Sequence, residues 1–158
     1  MSILEPYRDV TRSARSQPVR LAQLMDLPKP LQMNDLRLAD AVETGLPVRT
    51  FDAIALALAP FGKAAMNTVV SESTYRRAQK SAPRRLSRDA SERVYDLARV
   101  LDETLGLYRG DQESVFTFLT TRHQLLEGRT PFDVARSSSA GANVVLDIVR
   151  QARAGVAI

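Results

Sequence analysis

A group of cationic and hydroxyl side chains near the middle of the chain has the spacing of one helix face. Ser73, Arg76, Arg77 and Lys80 stand at positions i, i+3, i+4 and i+7, and residues at these intervals lie along a single stripe of a helix. Guanidinium groups pair with the O6 and N7 edge of guanine or with phosphates. Hydroxyls and free backbone amides at a helix start bind phosphate oxygens. The chemistry of this stripe is that of nucleic-acid recognition, although a solvated basic face without a ligand has the same pattern.

The element that carries this stripe follows a short helix and a tight turn. The sequence predicts a helical segment over 63–68, the turn Val69-Val70, and a new helix capped by Ser71 or Ser73. Two short helices joined in this way form a helix-turn-helix, which favours DNA contact over a solvated face. For the basic segment that follows, a solvated loop explains the residues equally well. We predict DNA contacts from Ser71, Ser73, Thr74, Arg76, Arg77, Lys80, Arg84 and Arg85.

The positive charge of the chain is concentrated around this helix. The 158 residues have a net charge of +4 and a sequence pI near 9.8. Between Ser71 and Arg93 there are seven Lys and Arg residues against three Asp and Glu residues, an excess of four that equals the excess of the whole chain. The release of counterions from phosphates favours binding to such a positive surface. The charge balance therefore favours a polyanionic or acidic partner without identifying one.

Residues suited to catalysis or metal binding are sparse. The chain has one histidine, His123, and no cysteine, so a four-ligand metal site cannot be built from these side chains. The serines at 137–139 could serve a hydrolase together with His123, but no G-x-S-x-G elbow accompanies them. We predict turn or capping roles for these residues, with no catalytic residue, no metal and no cofactor.

Helical spacing of apolar residues recurs along the chain after residue 33. No segment alternates apolar and polar residues long enough for a strand, so we predict an all-α fold. We expect a flexible extension over 1–33, where four prolines occur, a helix-turn-helix DNA-binding part over 34–86, a connecting and dimerisation helix within 87–110, and a C-terminal part over 111–158. No apolar run of about 18 residues and no signal-peptide pattern is found, so neither membrane insertion nor secretion is expected and we predict a cytoplasmic protein.

Helix starts are indicated by residues that cap free backbone amides. We predict caps at Asn34, Thr50, Ser87, Asp111 and Thr130, because short polar side chains accept hydrogen bonds at that position. Proline at the first helical position strengthens the start after Thr130. The segment 51–59 is apolar almost all round, which predicts a buried helix. The last helix is predicted over 140–154, with a glycine stop at 155.

Two stretches of the chain contain motifs in a distinctive order. The first runs from Gly45-Leu46 through the helix-turn-helix to Leu86-Ser87-Arg88-Asp89-Ala90-Ser91-Glu92-Arg93. The second contains Phe118-Leu119, Leu126-Glu127-Gly128-Arg129-Thr130-Pro131, Ser139-Ala140-Gly141-Ala142-Asn143-Val144 and Gly155. In this order they resemble the Xre/MbcA/ParS family of antitoxins, whose genes accompany toxins with a RES domain. Phe118 stands where that family commonly has tryptophan, and Glu127 where it often has glycine.

The resemblance implies an antitoxin that binds an NAD-consuming RES-domain toxin, covers its active site and represses its own operon. It implies an Xre/Cro-like DNA-binding part and toxin contacts along the last helix and tail. The apolar ending Val156-Ala157-Ile158 also favours docking on a partner, with packing on its own core as the alternative. We expect a homodimer, because a pseudo-palindromic operator is read by two copies related by a two-fold axis. The implied toxin-binding residues are Gly128, Thr130, Pro131, Val144, Asp147, Ile148, Gln151, Gly155, Val156, Ala157 and Ile158.

Two other functions compete with this interpretation. A stand-alone helix-turn-helix transcriptional regulator would use its C-terminal part only for dimerisation. A hydrolase would use His123 and the serine run, and it has the weakest support because no oxyanion loop accompanies these residues. Co-purification with a partner protein would separate the antitoxin from the stand-alone regulator.

Overall fold

The computed structural model describes Leu4, Tyr7, residues 15–60 and residues 62–158. These residues form helices joined by turns, and no strand occurs among them, so the predicted all-α class is confirmed. Single 3-10 turns lie at Pro30–Gln32 and Gln124–Leu126. The α-helices are α1 (Gln17–Leu24), α2 (Asp35–Thr44), α3 (Val48–Ala57), α4 (Gly62–Val69), α5 (Glu72–Lys80), α6 (Arg88–Leu107), α7 (Gln112–Thr120), α8 (Pro131–Ser137) and α9 (Ser139–Arg153).

Helix α6 lies at the centre of the fold. Twelve of its 20 residues are buried, and Val94, Leu97 and Leu101 are at most 1 % exposed. Helices α1–α4 pack on it from the N-terminal side of the sequence, and α7–α9 pack on it from the C-terminal side. Full burial of a Leu or Val side chain contributes about 1.5–3 kcal/mol. A single core around α6 therefore holds the helix-turn-helix and the C-terminal helices together.

This burial changes the role expected for the segment 87–110. A dimerisation helix needs an apolar face that is open to a second copy, but the apolar residues of α6 contact other helices of the same chain. Its exposed side chains lie in the first two turns, at Arg88, Asp89, Glu92 and Arg93. Because these four side chains are charged, α6 is a core helix of the protomer and offers no free apolar face for a dimer contact.

The N-terminal region also differs from the expected flexible extension. Helix α1 buries Leu21, Ala22 and Leu24, and Met25 and Leu27 just after it are buried as well. These side chains belong to the common core, so the expectation is corrected for 17–27. For residues 1–3, 5–6 and 8–14 the expected flexible extension lies outside the described residues.

Two neighbouring carboxylates on α6 attach both ends of the described chain to the core. Asp102 accepts hydrogen bonds from the Tyr7 hydroxyl at 2.7 Å and from the Arg20 Nε at 2.9 Å. Glu103 accepts from an Arg153 guanidinium nitrogen at 2.6 Å, near the end of α9. Burial and the nearby Asp102 carboxylate raise the pKa of Tyr7 far above its ordinary value. One turn of α6 therefore fixes the positions of α1 and of the last turn of α9.

The helix starts follow the predicted caps, with one exception. Asn34, Ser87, Asp111 and Thr130 each accept a hydrogen bond from a backbone amide at the start of a helix. Thr50, however, lies inside α3, which begins after Pro47. Its buried hydroxyl donates to the Met25 carbonyl at 2.7 Å. The capping prediction for Thr50 is therefore wrong, because this side chain joins α3 to the segment behind α1.

Close packing of α8 on α9 depends on a glycine. A Cβ atom placed on Gly141 would lie 2.1 Å from the carbonyl oxygen of Val134, closer than real contacts allow. The absence of a side chain lets the first turn of α9 approach the backbone of α8. Gly141 therefore helps to set the direction in which α9 projects its outer face.

Candidate nucleic-acid interface and C-terminal surface

Helices α4 and α5 form the predicted helix-turn-helix. α4 ends at Val69 and α5 begins at Glu72, so the turn between them contains only two residues. The Ser71 hydroxyl accepts from the backbone amide of Thr74 at 3.3 Å and lies 2.8 Å from the Thr74 hydroxyl. Ser71 is thus confirmed as the cap, and Thr74 is half-buried and engaged with it. This cap stabilises a short helix that has few buried side chains.

The outward side of α5 carries the predicted cationic stripe. Ser73, Arg76, Arg77 and Lys80 are exposed, and together with Glu72 they line one open hollow, which we call the α5 face. The guanidinium of Arg76 lies 2.6 Å from the Glu72 carboxylate. Within the described part of the chain, Arg77 and Lys80 form no ion pair. The cations that the sequence places on one stripe are therefore together in the structure and accessible to a polyanion.

Tyr75 anchors α5 from its opposite side. Its ring packs against Phe51 of α3 with the ring centroids 4.2 Å apart. Its hydroxyl donates to Asp52 at 2.8 Å and accepts from Gln79 at 3.0 Å. Burial and the bond to Asp52 raise the pKa of Tyr75 to about 12. Since Ala78 is the buried residue of α5, the Tyr75 contacts are a main determinant of how this helix sits on α3.

The basic segment after α5 lies beside the start of α3. The Arg84 carbonyl accepts from the Val48 amide at 3.1 Å, and the Arg85 guanidinium donates to the Gly45 carbonyl at 3.3 Å. Both arginine side chains remain exposed. Arg84 shares a shallow cleft with Arg49 and Gln79. These bonds hold the segment next to α5, where its cations extend the positive surface.

Arg49 is a candidate phosphate contact that the sequence reasoning missed. It lies in the first turn of α3, and its Nε donates to the Asp26 carbonyl at 2.9 Å. Its side chain is 54 % exposed, so the bond leaves much of the guanidinium open to solvent. The predicted start of this helix at Thr50 placed Arg49 in a loop. A start after Pro47, which is the observed one, would have placed it at the helix N-terminus.

The residues implied for toxin binding divide into exposed and buried groups. Val144 is 47 % exposed, Val156 is 53 % exposed and Ile158 is 42 % exposed. Asp147 and Gln151 are also exposed on α9, and their spacing from Val144 places the three on one helix face. We call the five exposed residues Val144, Asp147, Gln151, Val156 and Ile158 the C-terminal surface. Gly128, Gly155 and Ala157 are exposed too, and Thr130 is half-buried as the cap of α8.

Two of the implied contact residues are buried by the chain itself. Pro131 lies in the first turn of α8 and is buried, and Ile148 is only 7 % exposed. A side chain that packs inside its own protomer cannot also contact a partner in this conformation. The assignment of Pro131 and Ile148 as contacts is therefore corrected: they support α8 and α9 from beneath the surface.

The tail after α9 turns back towards the helix. Gly155 has a positive φ of 85°, a conformation that glycine adopts without strain. The Val156 amide donates to the Gln151 carbonyl at 2.9 Å. This bond and the positive φ form a common helix stop. Val156 is thereby held close to the end of α9, and the side chains of Val156 and Ile158 are exposed.

The residues considered for a hydrolase are not brought together. The Nδ1 of His123 accepts from the Leu125 amide at 3.2 Å, and the side chain lies in a hollow with Tyr108 and Phe118. The serines line a different hollow, between the start of α6 and the α8–α9 junction. Their hydroxyls bond to Val134, Gly141 and Asp96 respectively. His123 caps a 3-10 turn and Ser138 caps α9, which are roles of the predicted kind, whereas the Ser139 hydroxyl joins α9 to Asp96 of α6.

A membrane-spanning helix and a metal-binding cluster are both absent from the described residues. None of the helices in the described ranges combines the length and the apolar character required to cross a bilayer. Within the same ranges, no three His, Cys, Asp or Glu side chains are grouped so that they could hold a metal ion. The α5 face and the C-terminal surface remain the main candidates for binding.

Comparison with known domain families finds a similarity over part of the chain. Residues 37–99 match the model of the antitoxin Xre-like helix-turn-helix domain. The matched span begins inside α2, contains all of α3–α5 and ends inside α6. No curated protein matches the chain. The chain therefore contains, over residues 37–99, a helix-turn-helix domain similar to that of Xre antitoxins, a kind of domain found in antitoxins and DNA-binding regulators.

Proposed function

We propose that this protein is an antitoxin that neutralises a RES-domain toxin and represses its own operon. The observation that carries the proposal is the α5 face: a row of exposed cations on the second helix of a helix-turn-helix that matches an antitoxin domain. In the proposed mechanism α5 enters the major groove, where the second helix of such motifs reads base edges. Arg49, Arg84 and Arg85 contact the flanking phosphates.

The proposed toxin-binding function is assigned to the C-terminal surface. It consists of the apolar Val144, Val156 and Ile158 and the polar Asp147 and Gln151, all exposed. Protein interfaces typically combine apolar and polar side chains. In this proposal the surface covers the entrance to the active site of an NAD-degrading toxin, and it does so as a rigid body because α9 is packed on α6 and α8.

We propose that the active DNA-binding form is a cytoplasmic homodimer. A single α5 face reads only one half-site, and a second copy related by a two-fold axis supplies the other. The buried apolar face of α6 is not free for this contact, so the dimer must use another surface of the protomer. A stand-alone regulator is the alternative. It accounts for the α5 face equally well, and it would use exposed Val156 and Ile158 for contacts between copies of the chain instead of contacts with a toxin.

Co-expression with the product of the adjacent reading frame tests the proposal. The tagged chain should co-purify with a RES-domain protein and should restore growth of cells that express that protein. The purified chain should also shift a duplex that contains its own promoter. A chain that purifies alone and does not restore growth, yet still binds the promoter, would establish the stand-alone regulator instead.

A further inference from the structure

One carboxylate lies on the otherwise cationic α5 face. Glu72 is the first residue of α5 and lines the same hollow as Ser73, Arg76, Arg77 and Lys80. Its side chain is 61 % exposed, and one of its oxygens lies 2.6 Å from Arg76. A carboxylate placed among cations that face DNA is repelled by the phosphates. Its position therefore lowers affinity for duplexes in general and needs a separate explanation.

Stability explains little of this arrangement. An exposed pair at i and i+4 on a helix adds only a few tenths of a kcal/mol. A negative charge in the first turn interacts favourably with the helix dipole, but this effect is also small and is screened by salt. Since both side chains are more than half exposed, no packing of the core depends on the pair.

The hydrogen-bonding groups of the Glu72–Arg76 pair are complementary to one edge of a base pair. A G·C pair presents two acceptors, N7 and O6 of guanine, followed by one donor, the N4 amino group of cytosine. The Arg76 guanidinium carries several donors in a plane, and one of them engages Glu72. The remaining donors of Arg76 and the second oxygen of Glu72 present donors followed by an acceptor. This order is complementary to a G·C edge, whereas a T·A or A·T edge would place an acceptor against the carboxylate.

We propose that Glu72 is a specificity-determining residue of the DNA-binding site. It orients Arg76 towards the N7 and O6 atoms of a guanine and accepts a hydrogen bond from the N4 group of a cytosine. This inference rests on the proposed DNA-binding function of α5. It assigns to each half-site a G·C pair that Glu72 and Arg76 read jointly, and it distinguishes Arg76 from Arg77 and Lys80, whose cations have no carboxylate partner within the described part of the chain.

Selection from a randomised duplex library tests this assignment on the full chain. The E72Q variant removes the charge and keeps the size of the side chain. The matched control is E92Q, because Glu92 forms the same kind of exposed i, i+4 pair with Arg88, at 3.4 Å, on α6. Wild-type protein and E92Q should enrich a G·C pair at the same position of each half-site. E72Q should lose the preference at that position by about tenfold, while its affinity for unselected duplex rises.

The outcomes separate this inference from the proposal on which it rests. If wild-type protein and E72Q enrich the same bases with the same strength at every position, Glu72 does not determine specificity, although α5 still binds DNA. If E92Q changes the profile as much as E72Q does, the effect is one of net charge and the assignment is also wrong. If wild-type protein neither enriches a sequence nor binds unselected duplex, the proposed DNA-binding function fails as well.

Discussion

Helices α5 and α9 present the two candidate binding surfaces, and they are held in the molecule in different ways. Of the nine residues of α5, Ala78 alone is buried, and the helix is fixed by the Ser71 cap and the Tyr75 contacts. In α9, five of 15 residues are buried, and the Arg153 bond to Glu103 fixes its last turn. A charged surface is thus placed on a lightly anchored helix, whereas the C-terminal surface begins on a core helix, at Val144, and continues into the tail after α9 with Val156 and Ile158.

The two surfaces should also respond differently to solution conditions. Contacts between cations and phosphates weaken steeply as salt rises, because counterions are no longer released into dilute solution. Contacts between apolar side chains are far less sensitive to salt. The comparison between α5 and α9 therefore predicts that the two activities can be lost separately.

The largest effect is expected from replacing two arginines of the α5 face. Arg76 pairs with Glu72, and Arg77 has no ion-pair partner within the described residues. The double variant R76A/R77A should lose operator affinity by about 100-fold or more, since each base or phosphate contact of this kind contributes about 1–3 kcal/mol. Binding of the partner protein should be unchanged. Titration of a labelled operator at several salt concentrations measures both the affinity and the salt slope, which should become less steep.

A matched control keeps the change in net charge the same. The variant R122A/R136A removes two exposed arginines outside the α5 face and should retain operator binding within a few-fold. Loss of both DNA and partner binding in a folded R76A/R77A protein would contradict the separation of the two surfaces.

A smaller effect is expected from shortening the tail. Removal of residues 155–158 deletes Val156 and Ile158, which are exposed by 53 % and 42 %, and leaves α9 complete. Because covering such side chains contributes roughly 1–3 kcal/mol, partner affinity should fall by about 10- to 100-fold, with operator binding unaffected. Calorimetric titration with the partner measures the first and a gel shift measures the second. Full neutralisation by the shortened chain would show that the tail is not the part that covers the toxin.

The smallest effect is expected from Y75F, which removes the hydroxyl bond to Asp52 and keeps the ring on Phe51. A hydrogen bond of this kind contributes about 1 kcal/mol, so operator affinity should fall only a few-fold as α5 moves more freely. The pKa of Tyr75 is raised to about 12, above its unfolded value of roughly 10. The tyrosine contribution is therefore present below pH 10 and is lost as the pH rises towards 12.

Chemical denaturation at a series of alkaline pH values measures this loss of stability. Wild-type protein should lose stability faster than Y75F between about pH 10 and 12, because Tyr75 ionises in the unfolded chain before it ionises in the folded one. Equal slopes for the two proteins would show that the Asp52 bond does not persist in solution.

The sequence was sufficient for features that depend on local contacts. The caps at Asn34, Ser71 and Ser87 and the stripe from Ser73 to Lys80 follow from hydrogen bonds and spacing within a few residues, so they could be predicted without knowledge of the fold. The same is true of the all-α class, which follows from the period of the apolar residues.

Features that depend on distant partners could not be predicted in this way. Helix α1 is joined to α6 by Arg20 and Asp102, which are 82 positions apart, and the role of Thr50 depends on a carbonyl 25 positions away. A proline-containing segment with several arginines therefore has the pattern of a tail until its acceptor on α6 is known. Likewise, the resemblance to the antitoxin family implied partner contacts at Pro131 and Ile148 but could not indicate that both side chains are buried.

The position of α6 has a practical consequence for anyone who wishes to produce the DNA-reading part by itself. The matched span ends at residue 99, within a helix that continues to Leu107. A recombinant fragment cut at that border would stop in mid-helix and would lack α7–α9, which pack on α6, so part of the apolar surface of α6 would be in contact with water. We expect such a fragment to aggregate. Grafting this reading module onto another effector would require the whole of α6 and the helices that shield it.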